Sequence, residues 1–327
     1  MVRSVPFWFF AAMVGLGTTG AFAQRQIVDA GFDSNVAAPA YTMRHPAVLF
    51  DEAHHNFHTV GGRYKPFADL IGHDGYRVEA NKKPISRAVL DRYEILIIAN
   101  AMGAEGGGPQ AANPALTEAE CQAVEAWVKA GGALLLITDM NHWGAAAQRL
   151  GSRFGVEMSH GLTIDPRNSV PGMAMRLVFS RENALLGDHP ITRGRDASEQ
   201  IDRVVTYSGQ SLLGPRGSVR FLMLGETAVD QYEGDLVVVR AAGRCQGLAL
   251  AHGKGRVVVL GEAGALSAQI NAAGLLMGMN DPGNDNRQLA LNIMHWLSGL
   301  IPGDPRGGAD RPGSPGRPPM PAARQGP

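Results

Sequence analysis

Three short, unbroken apolar runs recur along this chain, each separated from the next by enough residues to hold a helix. They are Ala47-Val48-Leu49-Phe50, Ile95-Leu96-Ile97-Ile98-Ala99 and Ala133-Leu134-Leu135-Leu136-Ile137. A strand with one wet face alternates apolar and polar residues. An unbroken run fits a strand covered on both faces. Between the runs the period changes to that of a helix. Tyr64, Phe67, Leu70 and Ile71 recur at helical spacing, with Pro66 tolerated in the first turn. Farther on, Val124, Trp127 and Val128 share one helical face. Strand and helix in alternation specify a mainly parallel sheet with helices on both faces.

Punctuation residues set the boundaries. Gly72 and Gly75 close the first helix before a strand at Tyr76-Arg77-Val78. Ser86 to Leu90 is a short helical piece. Thr117-Glu118-Ala119-Glu120 reads as a capping box: the Thr117 hydroxyl takes the Glu120 N–H, and the Glu120 carboxylate reaches back. Gly131-Gly132 stops that helix. Residues 155–244 lose the rhythm and read as an irregular β-rich insertion. The core pattern returns as a hairpin, Gln246 to Ala251 and Gly255 to Leu260, turning at Gly253-Lys254. Asn286 to Leu297 is the closing helix.

The two ends differ in composition from this centre. Residues 1–23 carry Arg3, an apolar stretch from Phe7 to Leu16 and Ala21-Phe22-Ala23, the pattern of a cleaved signal peptide. Residues 24–45 read as an extended lead-in. Residues 300–327 are rich in Pro and Gly and read as a disordered tail, with too little apolar surface to offset the entropy of ordering. The expected mature protein is exported, periplasmic or extracellular, with no transmembrane segment: no later apolar run approaches roughly 18 residues. Lys+Arg and Asp+Glu both number 30 in the 327 residues, a balance that argues against a non-specific nucleic-acid binder. Cys121 and Cys245 are the only cysteines; export permits a disulfide between them, and the favoured reading is two small core residues.

Chemistry gathers after the first apolar run, in Asp51, Glu52, His54, His55, Asn56 and His58. In open α/β sheets ligands bind outside the carboxyl ends of the strands. The loops Asp51–His58, Asn100–Gly108, Asp139–His142 and Glu262–Ser267 all follow predicted strands, which makes Asp139, His142 and Glu262 further candidates. His54 and His58, four apart, would share one face of a helical turn, as in helical zinc motifs, and Asp51 or Glu52 would complete a divalent-metal set. No HExxH pattern is present, and Gly61-Gly62 favour a loop. Two other readings stand beside this one: histidines that brace the turn, and a metal-free polar pocket. Asn280 to Asn286 is a turn whose spacing is not that of an EF-hand.

VLFDEAHHN, LTEAECQAVEAWVKAGGALLLITD, DHPITRG, GRVVVLGEAGALS and DNRQLALNIMHWL together resemble the class I glutamine amidotransferase-like superfamily, of flavodoxin-like fold, and within it exported members. The resemblance covers roughly residues 46–299. An active amidotransferase places a cysteine on a sharp strand-to-helix turn. The turns after Ala99 and Ile137 hold none, so the resemblance implies a domain without the catalytic thiol. The expected role of such a domain is to bind a small molecule or an exported protein partner at the carboxyl edge of the sheet. The alternative is a hydrolase built on the Asp51–His58 cluster, with Asp139 or Glu262 as general base.

Overall fold

The computed structural model describes residues 26–232 and 237–303. The expected signal peptide and nearly all of the expected tail lie outside the described residues. The chain enters through β1 (Ile27–Val28). It then forms β2 (Ala47–Asp51), α1 (Lys65–His73), β3 (Arg77–Asn81), α2 (Arg87–Leu90) and β4 (Ile95–Ala99). Next come α3 (Glu118–Lys129), β5 (Ala133–Ile137) and α4 (His142–Arg153).

The three apolar runs become β2, β4 and β5. They lie side by side and parallel, Leu49 beside Leu96 and Leu96 beside Leu134. Every residue of the three is buried. Successive side chains point to opposite faces of a sheet, and the packing follows that rule. Val48, Phe50, Ile95, Ile97 and Leu135 meet Phe67, Leu70 and Ile71 of α1 on one face. Leu49, Leu96, Ile98, Leu134 and Leu136 meet Cys121, Val124 and Val128 of α3, and Leu150 of α4, on the other. Each fully buried side chain of this kind contributes about 1.5–3 kcal/mol. Both cysteines are buried and unbridged. Burial pushes the Cys121 thiol up to about 11 and the Cys245 thiol up to about 12.

The predicted capping box forms. Thr117 Oγ1 accepts the Glu120 N–H at 3.3 Å, and Glu120 Oε2 accepts the Thr117 N–H at 2.9 Å.

The β-rich segment of residues 155–244 contributes both to the main sheet and to small sheets of its own. It contains β6 (Glu157–Met158), β7 (Leu162–Ile164), β8 (Ser169–Val170), β9 (Met173–Ser180), α5 (Pro190–Arg193), β10 (Arg203–Val205), β11 (Leu212–Leu213), β12 (Val219–Met223), β13 (Val229–Gln231) and β14 (Val238–Arg240). The hairpin of β15 (Cys245–His252) and β16 (Gly255–Leu260) follows, then β17 (Ala268–Ile270), β18 (Leu276–Gly278) and α6 (Asn286–Leu297). Strands β6, β11 and β12 extend the main sheet beyond the hairpin. The sheet runs β3-β2-β4-β5-β16-β15-β11-β6, with β12 also pairing β15. It is mixed and largely parallel in its first half. Three small antiparallel sheets surround it: β1-β17-β18, β10-β9-β8 and β14-β13-β7. Among the described residues, no helix is long and apolar enough to cross a membrane.

Both ends of the domain join the packing. The lead-in is tied down: β1 pairs with β17, and Phe32, Val36 and Ala40 pack against the core. At the other end, Ile301 belongs to the core rather than the tail. It is 3% exposed, its N–H donates to His295 O at 3.0 Å, and Arg256 donates to its carbonyl at 2.8 Å.

Candidate functional site

The chain runs from β2 outward to β3 and then crosses back to β4 on the other side of β2. Such a reversal opens a crevice at the carboxyl ends of the strands. A cavity of about 370 Å3 lies at this edge, small for a ligand pocket. Its wall takes His58 from the loop after β2, Asn100 after β4, Asp139 after β5 and Glu262 after β16. All four predicted loops point to this edge, and three of the nine candidate residues, His58, Asp139 and Glu262, meet in one cavity.

The other candidates face elsewhere. His54 is held at both ring nitrogens: Nδ1 lies 2.8 Å from Asp51 Oδ2, and Nε2 lies 3.0 Å from Glu120 Oε1. Asp51 is fully buried. Burial alone would lower the His54 pKa, but the hydrogen bond and charge of Asp51, with Glu120 beside it, raise it overall. Glu52 accepts the Val60 N–H at 2.9 Å, and Asn56 accepts the His54 N–H at 3.0 Å. Glu52, His55 and Asn56 border a separate groove with Glu105. His142 heads α4, its ring 4.1 Å from that of Trp143.

This arrangement separates the residues of the expected metal set. Asp51 and His54 are spent on each other and on Glu120, whereas His58 lines the cavity. Among the described residues, no group of three or more His, Cys, Asp or Glu side chains is placed to hold a metal ion. The physical reason is local: His55 adopts a left-handed backbone (φ 48°), so the segment is a turn, and the one-face logic of a helix does not apply.

Inside the cavity, burial sets the electrostatics. Asp139 is 8% exposed and Glu262 3%. Burial raises both pKa values, and the charge of Asp139 raises that of Glu262 further. Two buried carboxyls in one site resist double ionisation, so the pair titrates as a unit. Backbone donors hold them in place: Met140 N–H reaches Asp139 at 2.8 Å, and Ala265 N–H reaches Glu262 at 2.8 Å. Burial, assisted by the nearby Arg63 charge, pushes the His58 imidazole down to about 3, so it is neutral. Its Nδ1 is buried with no hydrogen-bond partner, and so is Asn100 Oδ1.

The backbone around the cavity is unusual as well. Asn100 (φ 44°) and Ser208 (φ 140°) both line it with positive φ. Non-glycine residues seldom adopt such angles, and they concentrate at functional sites. Gly209, beside Ser208, is a glycine of necessity. Its φ is +114°, and a Cβ there would meet Gly261 O at 2.5 Å and Glu262 Cβ at 2.7 Å.

Several lining residues were not among the sequence candidates: Phe57, Arg63, Trp143, Tyr207 and Gln269. Arg63 and Phe57 lie within or beside the stretch that drew attention, and an arginine directly after Gly61-Gly62 is a readable signal. Tyr207 and Gln269 arrive from the irregular segment and from β17, where no periodicity announces them.

No protein-family model matches this sequence, and no curated protein matches it. Solved structures do. The mmIFT52 N-terminal domain superposes with a TM-score of 0.54 at 14% identity, covering 77% of this chain and 97% of that domain. The cytoplasmic protein STM1381 from Salmonella typhimurium LT2 is similar at a TM-score of 0.43 and 12% identity, over 77% of this chain and 98% of that one. A putative ThuA-like protein from Parabacteroides merdae gives 0.38 and 10%, over 78% and 90%. At these identities the likeness is one of fold, and the fold shared with the mmIFT52 N-terminal domain spans most of this chain.

Proposed function

We propose that this chain is an exported amidotransferase-like domain that binds a small polar molecule in the His58–Asp139–Glu262 cavity and performs no thiol chemistry. The observation that carries the reading is the pair of unpartnered polar atoms, His58 Nδ1 and Asn100 Oδ1, buried at the wall of a cavity. A buried polar atom without a partner costs about 1–3 kcal/mol. Both residues line the cavity while these atoms lie just behind its surface, so a ligand that reaches them through a small shift of the lining recovers that cost on binding. Strained backbone at Asn100 and Ser208 supports the same place. Export rests on the charged, apolar and A-x-A pattern of residues 1–23. The absence of thiol chemistry rests on two buried cysteines whose thiols are raised far from neutrality.

The test is a thermal-shift survey of the mature chain against small carboxylates, amides, polyols and phosphate, beside the His58→Leu variant. A molecule that stabilises the natural chain and not the variant is the expected result. If no compound shifts the melting of the natural chain, and a crystal structure of the protein purified from its host shows only water in the cavity, the binding reading falls.

One observation favours a second reading, hydrolysis. Paired carboxyls raised by burial in a cleft suit proton transfer near neutral pH. In that reading Asp139 and Glu262 share the acid and base roles, and the Asp51–His54 pair only supports the loop. Turnover of ester or glycoside probes that Glu262→Gln abolishes would favour it.

A further inference from the structure

Arg63 is held in an unusual way. Its Nη1 donates to Gln269 Oε1 at 2.7 Å and to Gln26 Oε1 at 3.3 Å. Its guanidinium carbon lies 4.5 Å from the centre of the Phe57 ring. Two amide oxygens and an aromatic face fix its position, yet none of them carries a formal charge. Among the described residues no carboxylate forms an ion pair with it, although ten other arginines have one. Nη2 and Nε find no acceptor among the described residues. Those two groups form the side-on fork that matches a carboxylate or phosphate in two parallel hydrogen bonds.

The position is costly unless something balances it. Arg63 is half-buried, and burial lowers its pKa, a sign of lost hydration. Its charge also disfavours a second proton on His58. Solvent at the cavity mouth offsets part of this cost, but it does not explain why both anchoring residues are glutamines. Were either one a glutamate, the cation would be neutralised within the protein. Amides orient the guanidinium while leaving its charge available.

We propose that the ligand of this cavity carries a small oxyanion, and that Arg63 receives it through Nε and Nη2. The proposal rests on the cavity being a binding site and adds the charge of what enters it. The rest of the ligand extends toward the side of the cavity lined by His58 and Asn100. Carboxylates and phosphates share the recognised chemistry.

The test is calorimetric titration of the mature chain with glycolate, lactate and inorganic phosphate, each against an uncharged counterpart: glycolamide, lactamide and glycerol. The expected result is that at least one anion binds and its neutral counterpart binds at least tenfold more weakly. Binding of a carboxylate or of phosphate then identifies which oxyanion source the site takes. In Gln269→Glu, a carboxylate is placed against Arg63, and anion affinity should fall at least tenfold. Arg63→Lys keeps the charge without the fork and should bind with intermediate affinity. The Gln269→Glu change tests the idea even where Arg63→Lys fails to fold. Equal binding of acid and amide, or undiminished anion binding by Gln269→Glu, overturns the proposal while the binding site stands. No binding by any probe, charged or neutral, removes both.

Discussion

His54 and Glu120 are joined by a 3.0 Å contact between Nε2 and Oε1, which fastens the loop after β2 to the first turn of α3. The same carboxyl group completes the helix's capping box and accepts the Ile85 N–H at 2.9 Å. His54→Ala would leave Asp51, fully buried, without its partner. Breaking a buried pair in this way costs about 3–5 kcal/mol, and urea unfolding of the variant should show a loss at or just below that range. The pKa of His54 is raised in the folded protein, so its contribution is complete below the ordinary value near 6.5. It is lost as pH rises through the folded value. The gap between natural chain and variant should therefore narrow toward alkaline pH.

Glu262→Gln tests the buried carboxyl pair. Both pKa values are raised, so the folded protein keeps protons that the unfolded chain has released. Stability should fall as pH climbs out of the ordinary carboxylate range near 4 and on through neutrality. The slope is up to about 1.4 kcal/mol per pH unit for each proton retained. The variant should flatten that slope. Identical slopes between pH 5 and 8 would show that the pair is ionised in the fold.

His58 acts in the opposite sense. Its folded pKa is depressed to about 3, so its neutral form is fully favoured above the ordinary 6.5. Stability is lost as pH drops from there toward 3. His58→Gln removes this liability and should decline less steeply in acid, while losing about 1–3 kcal/mol at neutral pH through altered packing against Tyr64, whose ring centre lies 4.4 Å away. Guanidinium unfolding at pH 4.5 and pH 7.5 separates the two effects.

Truncation bears on the end of the domain. A chain ending at Gly303 keeps Ile301 and its bonds to His295 and Arg256. A chain ending at Gly299 loses them. Ile301 is nearly wholly buried, and its burial is worth about 1.5–3 kcal/mol. The shorter chain should be less stable by that amount in thermal unfolding, and equal stability would show that Ile301 contributes nothing.

Much of the fold was legible because its signals are local. An unbroken run such as Ile95–Ala99 announces a doubly covered strand, and Thr117 with Glu120 announces a helix start. The hairpin at Gly253-Lys254 was equally plain. Strands β6, β11 and β12 were obscure as members of the main sheet because two or five residues joined by long-range pairing leave little periodicity. In the site, position at a strand end is the signal that places His58, Asp139 and Glu262 at one cavity. Direction was what the residues could not announce. One left-handed residue, His55, turns His54 toward Glu120 and leaves His58 for the cavity. Arg63 and Gln269, joined across 206 positions, meet only in three dimensions.

The capping box at the start of α3 has a consequence for how this molecule can change over generations. Glu120 serves the helix, the Asp51–His54 loop and Ile85 at once, so drift at this residue disturbs three elements together. Glu120 does not line the cavity, whose peripheral side is composed differently: Tyr207, Gln269 and Met277 come from a connecting loop and a small peripheral sheet, with Gln26 beside them. Substitutions there leave the nine-stranded sheet untouched. The strand-end side, with Asp139 and Glu262, is fixed by the main sheet and the peripheral side is not, so the periphery can be altered while the carboxyl pair stays unchanged.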